Sequence, residues 1–349
     1  MFPSVVLSVT VMLLAWTIPA SRADNSGLAA ESVLLFERAV GNSDLQIRLI
    51  NGDGTADRLL TRGFAPRWSP DGKRIAFQRF VRGSVTALYV VNRDGTGLKR
   101  LVANIGGQGG RWPQLDVAWS PDGSRLAFII YRVPPGGSGI GVVGADGRGL
   151  KRLTRGDDET PTWSPDGRRI TFARFTGDTY QLVSVSSNGG AERVLPIGVD
   201  NTQFPTCSPD GLRIAFQAGG VLPRSWDIYV ANADGTGATN LTRSDAPDDQ
   251  YPQWSPDSRG IVFESANPNR SSDVHTIGVN GSGHRKLTRE RRFDGWPSWS
   301  PDGRRIAFAS ARDGNVDLYV MTATGRNPAN LTNNEQGTYN SLPAWPRGG

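Results

Sequence analysis

One five-residue signature constrains this chain more than any other feature. Trp68-Ser69-Pro70-Asp71-Gly72 returns at Trp119 to Gly123, Trp163 to Gly167, Cys207 to Gly211, Trp254 to Ser258 and Trp299 to Gly303, and a degenerate copy closes the sequence at Trp345-Pro346-Arg347-Gly348. The lead residues are spaced 51, 44, 44, 47, 45 and 46 apart. A period near 45 is the length of one four-stranded propeller blade and too long for most helical repeats.

Each copy reads as four short strands. The first ends at the Trp, after which Pro fixes φ at the second turn position and Gly takes the position that needs positive φ. A second strand follows at once, as in Arg74-Ile75-Ala76-Phe77 or Arg305-Ile306-Ala307-Phe308. A third is exemplified by Leu88-Tyr89-Val90-Val91 and Ile228-Tyr229-Val230, and a fourth ends in Leu-Thr at 153–154, 241–242, 287–288 and 331–332. No stretch after the N-terminal segment sustains a 3.6-residue apolar period, so the chain is all-β.

The ends of the repeat array predict how the ring closes. Ser32 to Phe36, Leu45 to Ile50 and Arg58 to Thr61 read as strands two, three and four with no first strand before them. Ser341 to Trp345 reads as a first strand with nothing after it. The two partial sets make one blade, giving a single propeller of seven four-stranded blades closed by its own terminal strands; six blades is the alternative count. Closure of this kind pairs edges that would otherwise template aggregation.

The motifs W-S-P-D-G-x-x-I-A-F and I-Y-V-x-N-x-D-G-x-G, spread over about residues 33–346, make the chain resemble the TolB-like β-propeller repeat family. The resemblance implies a free-standing propeller, because no length remains for the separate N-terminal α/β domain that TolB carries. It also implies a binding role in which partner peptides engage the opening of the channel. Related repeats form the propellers of prolyl-oligopeptidase-type peptidases and of polysaccharide lyases that use a His-bound metal.

Composition narrows the chemistry. A lone Cys207 excludes an internal disulfide framework and a Cys-based metal site, and two histidines, His275 and His284, leave little for metal or acid–base work. Cys207 stands in a repeat Trp slot, His275 in the slot of Tyr229 and Tyr319, so both read as packing residues, whereas His284 sits in a turn. No G-x-S-x-G elbow occurs. The net charge of +6 is scattered among acids along the whole chain, which counts against a nucleic-acid footprint. No cofactor and no metal are called for, and a monomer is expected.

Residues 1–23 read as a signal peptide. Val5 to Ile18 is apolar apart from Ser8, Thr10 and Thr17, shorter than a bilayer span, and Ser21-Arg22-Ala23 offers small residues at the cleavage positions. An uncleaved membrane anchor is the alternative, since Met1 to Ser4 carries no positive charge. The propeller domain is then 24–349, periplasmic or secreted.

A blade of this kind has two unlike faces. The first-to-second and third-to-fourth turns are short and nearly identical between repeats; their aspartates suggest calcium less than they suggest self-bonded turns. The opposite face carries the variable loops and the approach to each first strand, where binding residues concentrate on rigid scaffolds. There an aromatic precedes the opening Pro in most copies: Phe64, Trp112, Phe204, Tyr251, Trp296 and, by position, Tyr339. Acids accompany them: Asp116, Asp158, Glu159, Asp200, Asp248, Asp249 and Asp294. The aromatics read equally well as packing between blades, while several carboxylates around one mouth repel each other unless a cation joins them. The expectation is a protein- or peptide-binding scaffold that takes an extended or cationic segment of an envelope or extracellular protein; the alternative is a carbohydrate-active propeller of lyase or paired-carboxylate glycosidase type.

Overall fold

The computed structural model describes residues 33–41, 44–83, 85–107, 117–131, 138–219, 225–243, 247–267, 271–333 and 337–346. Residues 1–23, where a signal peptide is expected, therefore lie outside the described residues, as do Trp112 and Asp116. Among the described residues no helix is long and apolar enough to cross a membrane.

Seven four-stranded antiparallel sheets account for the strands, each ordered from an innermost strand outward. Blades 1 to 6 are continuous in sequence and begin with innermost strands Phe64–Trp68, Val117–Trp119, Asp157–Trp163, Thr202–Cys207, Asp248–Trp254 and Asp294–Trp299. Blade 7 is composite: innermost strand Thr338–Ala344 pairs with Val33–Val40, followed by Asp44–Asn51 and Arg58–Arg62. Each innermost strand contacts the next, and that of blade 7 contacts that of blade 1, so the ring is closed.

The core is divided among the seven blade-to-blade contacts. Every second strand sends one phenylalanine into them, Phe36, Phe77, Phe128, Phe172, Phe216, Phe263 and Phe308, and all seven are fully buried. The contact between blade 7 and blade 1 packs Leu35, Ile47 and Leu49 against Trp68, Ile75 and Phe77, in the manner of the other blade-to-blade contacts. The ring is closed without a covalent link inside blade 7, where Thr338–Ala344 pairs with Val33–Val40. Burying a Phe contributes about 1.5–3 kcal/mol, so the seven equivalent positions carry a large share of the apolar stabilisation.

The repeat tryptophans stitch blades at the inner ring. The indole N–H of Trp68, Trp119, Trp163 and Trp254 donates to the carbonyls of Ala344, Arg67, Ala118 and Thr206, each in the preceding blade, at 2.9–3.1 Å. The arginine that opens a second strand also covers the Trp of the following blade: Arg74 over Trp119, Arg125 over Trp163 and Arg305 over Trp345, at 5.0–5.2 Å.

The outer strands are shorter than the sequence suggests. In blades 2 to 6 they are two residues long, Lys151–Arg152 and Ala329–Asn330 among them, and stop before the Leu-Thr pair. The leucine N–H still bonds the third strand, as in Leu241 to Ile228 O at 2.8 Å. The threonine hydroxyl then replaces the ladder by accepting the next N–H: Ile140 on Thr154, Ile228 on Thr242, Val274 on Thr288 and Leu318 on Thr332.

Candidate functional site

The rim on the loop-rich face is built on a bulge that recurs in the innermost strands. Three residues before the repeat Trp, the backbone is left-handed at Ala65, Thr160, Phe204, Tyr251, Trp296 and Leu342, with φ between 49° and 56°. The pairing to the second strand slips at the same place, for example between Gln250 and Gln253 and between Gly295 and Ser298. A bulky residue in this region costs about 1–3 kcal/mol and persists only where its surroundings hold it. At Ala65, Tyr251 and Trp296 it is held by a polar side chain of the preceding blade, one residue after the buried Phe. Glu37 accepts from Ala65 N at 2.9 Å, Gln217 from Tyr251 N at 3.2 Å and Glu264 from Trp296 N at 3.2 Å.

Glu264 is 7% exposed, and burial pushes its carboxyl up to about 7, against the pull of the Trp296 N–H. Burial also raises Glu37. Neither glutamate is among the residues proposed from sequence. The signal that marks them is a polar side chain immediately after Phe in an otherwise apolar strand.

The acids at the strand openings have partners within the chain. Asp158 is 0% exposed and bonds Arg174 bidentately, Oδ1 to Nε at 2.6 Å and Oδ2 to Nη2 at 3.0 Å, while the Thr154 hydroxyl donates to the same carboxylate. Glu192 completes the cluster on Arg174. Asp294 is also 0% exposed and pairs with Arg312 at 3.2 Å. Asn340 fills the same repeat position in blade 7, accepting from Arg38 Nε at 2.8 Å and donating to Asp317 Oδ1 at 3.3 Å across the blade boundary. Asp249, at this position in blade 5, is buried too. These carboxylates are thus built into the ring, and the cation that relieves the repulsion at Asp158 and Asp294 is the chain's own arginine. Asp248 accepts from Trp226 N at 3.0 Å, capping the start of a third strand. Glu159 is half-buried and Asp200 exposed in the loop before blade 4.

The aromatics divide into two groups. Phe64 is buried and stacks on Phe80, centroids 4.7 Å apart. Phe204, Tyr251 and Trp296 occupy the bulge itself on three consecutive blades. Phe204 meets Tyr251 edge-on at 5.0 Å, and Trp296 sits edge-on to Phe293 at 4.8 Å and to Tyr339 at 5.9 Å. Tyr339 is 40% exposed as a residue, yet its hydroxyl pKa is raised by packing first and then by the charges of Glu264 and Glu37. Phe293, missed in the sequence, joins this arc because it lies one strand position before Asp294.

The remaining candidates fall elsewhere. His275 and His284 are joined, Nδ1 to Nε2 at 2.9 Å, at the outer half of blade 5 beside Phe263. Burial, then the neighbouring His284 and Lys286, lowers His275 to about 4. Among the described residues no three His, Cys, Asp or Glu side chains come together as metal donors. Cys207 is half-buried at its Trp slot. On the opposite face each turn aspartate is used locally: Ser69 Oγ donates to Asp71 Oδ1 at 2.5 Å, and Lys73 N to the same oxygen at 3.1 Å. The pattern recurs down to Asp302, and in Asp122 these hydrogen bonds lower the pKa to about 2.

Comparison with known proteins agrees with this architecture. One stretch is 45% identical over 71 residues to the Tol-Pal system protein TolB of Zymomonas mobilis subsp. mobilis, covering 19% of this chain and 15% of that protein. The chain thus aligns with about a sixth or less of the TolB proteins it matches. The crystal structure of TolB from Acinetobacter baumannii superposes with a TM-score of 0.57 at 17% identity, over 90% of this chain and 82% of that one. An oligogalacturonate lyase in complex with manganese gives 0.59 at 16%, over 86% and 84%. Both likenesses concern the fold. The family model described as "TolB beta propeller domain" matches residues 33–270 and 252–349, and with nearly the whole described chain inside it, this protein belongs to the TolB β-propeller domain family.

Proposed function

We propose that the chain is a non-enzymatic scaffold of the periplasm or cell exterior that takes an extended protein segment across its loop-rich rim. The observation that carries this reading is the arc of Phe204, Tyr251, Phe293, Trp296 and Tyr339. Three of its members, Phe204, Tyr251 and Trp296, have left-handed backbone, and side chains of the preceding blades hold the last two. Strain maintained at one rim is a mark of use, and rigid aromatics bind with little loss of side-chain entropy. The buried acids Asp158, Asp249 and Asp294 serve the ring in this reading, and the partner contacts fall to the aromatics, with Glu264 and Glu37 beneath them. A lyase reading with a His-bound metal has less to stand on, since the two histidines pair with each other in blade 5 and, among the described residues, belong to no three-donor group.

The test is a comparative pull-down from envelope extract with the folded protein and its Tyr251→Ser/Trp296→Ser variant. A defined protein retained by the parent and lost by the variant is expected, with Asp166→Asn on the other face retaining it. Equal capture by all three, or turnover of a soluble glycan by the parent, overturns the reading.

A further inference from the structure

On the short-turn face the stitching between blades 5 and 6 lacks a part. Where the other complete repeats read Arg74, Arg125, Arg169, Arg213 and Arg305, blade 5 has Gly260. Trp299 in blade 6 has no guanidinium over its ring. Separately, its buried indole N–H has no acceptor, as is also true of Trp345, which keeps its arginine. Among the described residues Trp299 is the one repeat Trp lacking both. The vacated space is an open cavity of about 370 Å³, lined by Gly260, Trp299, Asp257, Asp302, Arg259 and the flanking turn prolines. Asp257 and Asp302 each spend Oδ1 on their own turn, accepting from Ser255 and Ser300 at 2.6 and 2.5 Å. Each keeps Oδ2 free of hydrogen bonds among the described residues.

We propose that this cavity is a socket for an arginine side chain of a protein partner. The three intact contacts show what the space accepts: a guanidinium over an indole, with Cζ 5.0–5.2 Å from the ring centroid. Two aspartates stand at the wall, Asp257 beside Arg259 and Asp302 beside Arg304 and Arg305, so a bound guanidinium joins a mixed set of charges in which each carboxylate keeps Oδ2 for it. The planar, weakly hydrated guanidinium suits an aromatic face beside carboxylates better than an ammonium does. The socket lies on the face opposite the aromatic rim, so it stands independently of the rim's role.

The structure also supplies its own blocking variant. A Cβ built on Gly260 meets nothing nearer than Ser255 Oγ at 3.5 Å, and Gly260 has no left-handed φ, so Gly260→Arg is accommodated and fills the socket from within. Indole N–H resonances of the ¹⁵N-labelled protein are followed while acetyl-Gly-Arg-Gly-amide is added, with Trp299→Phe assigning the peak. A saturable shift of the Trp299 signal is expected, with Kd on the order of 1–10 mM for so small a probe. It should be lost in Gly260→Arg, unchanged in Tyr251→Ser/Trp296→Ser, and at least tenfold weaker for the neutral citrulline peptide. Free L-arginine, whose carboxylate the aspartates repel, should bind more weakly than the peptide. No shift in the parent, an equal shift with citrulline, or binding that survives Gly260→Arg overturns the proposal. Tighter binding of free arginine also overturns it, by making the socket a small-molecule site.

Discussion

The two faces of the disc use the same polar residue types in opposite ways. On the short-turn face an aspartate bonds the serine and the backbone of its own turn, so each blade satisfies itself: Asp166 accepts from Ser164 Oγ at 2.5 Å and Arg168 N at 3.0 Å. On the loop-rich face the polar groups reach across elements. Asp158 finds Arg174 on the next strand, Asn340 finds Asp317 in the preceding blade, and Glu264 holds the backbone of Trp296 in the following one. Turns that bond their own aspartate repeat because most of what sets their geometry lies within five residues. Shared contacts diverge because each depends on its neighbour, and that is the face where a binding surface can be shaped.

The contrast predicts graded costs. Asp158→Ala removes a fully buried carboxylate, leaving the buried Thr154 hydroxyl and one side of the half-buried Arg174 without it while Glu192 stays. It should lose about 2–3 kcal/mol of stability in urea unfolding, whereas Asp166→Ala should lose only about 1 kcal/mol. Equal losses would break the distinction between the faces. Glu264 extends it to pH. Its folded pKa, about 7, lies above the ordinary 4.5, so the folded state binds the extra proton. Its contribution is therefore fully present at pH 4 and is lost as pH rises from 4.5 through 7. Glu264→Gln keeps an acceptor for Trp296 N and should be about 2–3 kcal/mol more stable than the parent at pH 8 and equal to it at pH 4. A constant difference across that range would show that Glu264 does not titrate with folding. Least affected should be Ser258→Gly on the short-turn face. It relieves a left-handed serine at φ 60° but removes an acceptor for Asp210 N at 3.1 Å, so the net change should stay within about 1 kcal/mol by the same unfolding measurement.

How much of this was legible follows the same division. The signature turns, the second-strand phenylalanines and the composite seventh blade are local or arithmetic features, and the sequence displays them directly. The rim is not local. Arg174 lies sixteen positions beyond Asp158, and nothing in the spacing says that they share a strand register. Proximity to Pro grouped Phe64 with Trp296, yet one residue of offset at the bulge buries the first and leaves the second in the arc. His275 and His284 read as one packed and one exposed residue, but the turn between the third and outer strands folds them together. The Leu-Thr pairs suggested longer strands because a hydroxyl that replaces a ladder bond looks, in sequence, like more strand. The missing arginine at Gly260 was open to reading from the outset; its meaning needed the structure, which shows what its counterparts cover.

The composite blade has a consequence for timing. Thr338–Ala344 belongs beside Val33–Val40, a separation of some three hundred residues, so the earliest strands made are the last to receive their inner neighbour. Until the final dozen residues emerge, Phe36 and its surroundings form an unfinished wedge with a bare hydrogen-bonding border, and the six finished wedges have nothing to lock against. A chain assembled in this order needs its first strands kept quiet until their inner neighbour arrives, which makes assembly, rather than the finished ring, the vulnerable stage of its life.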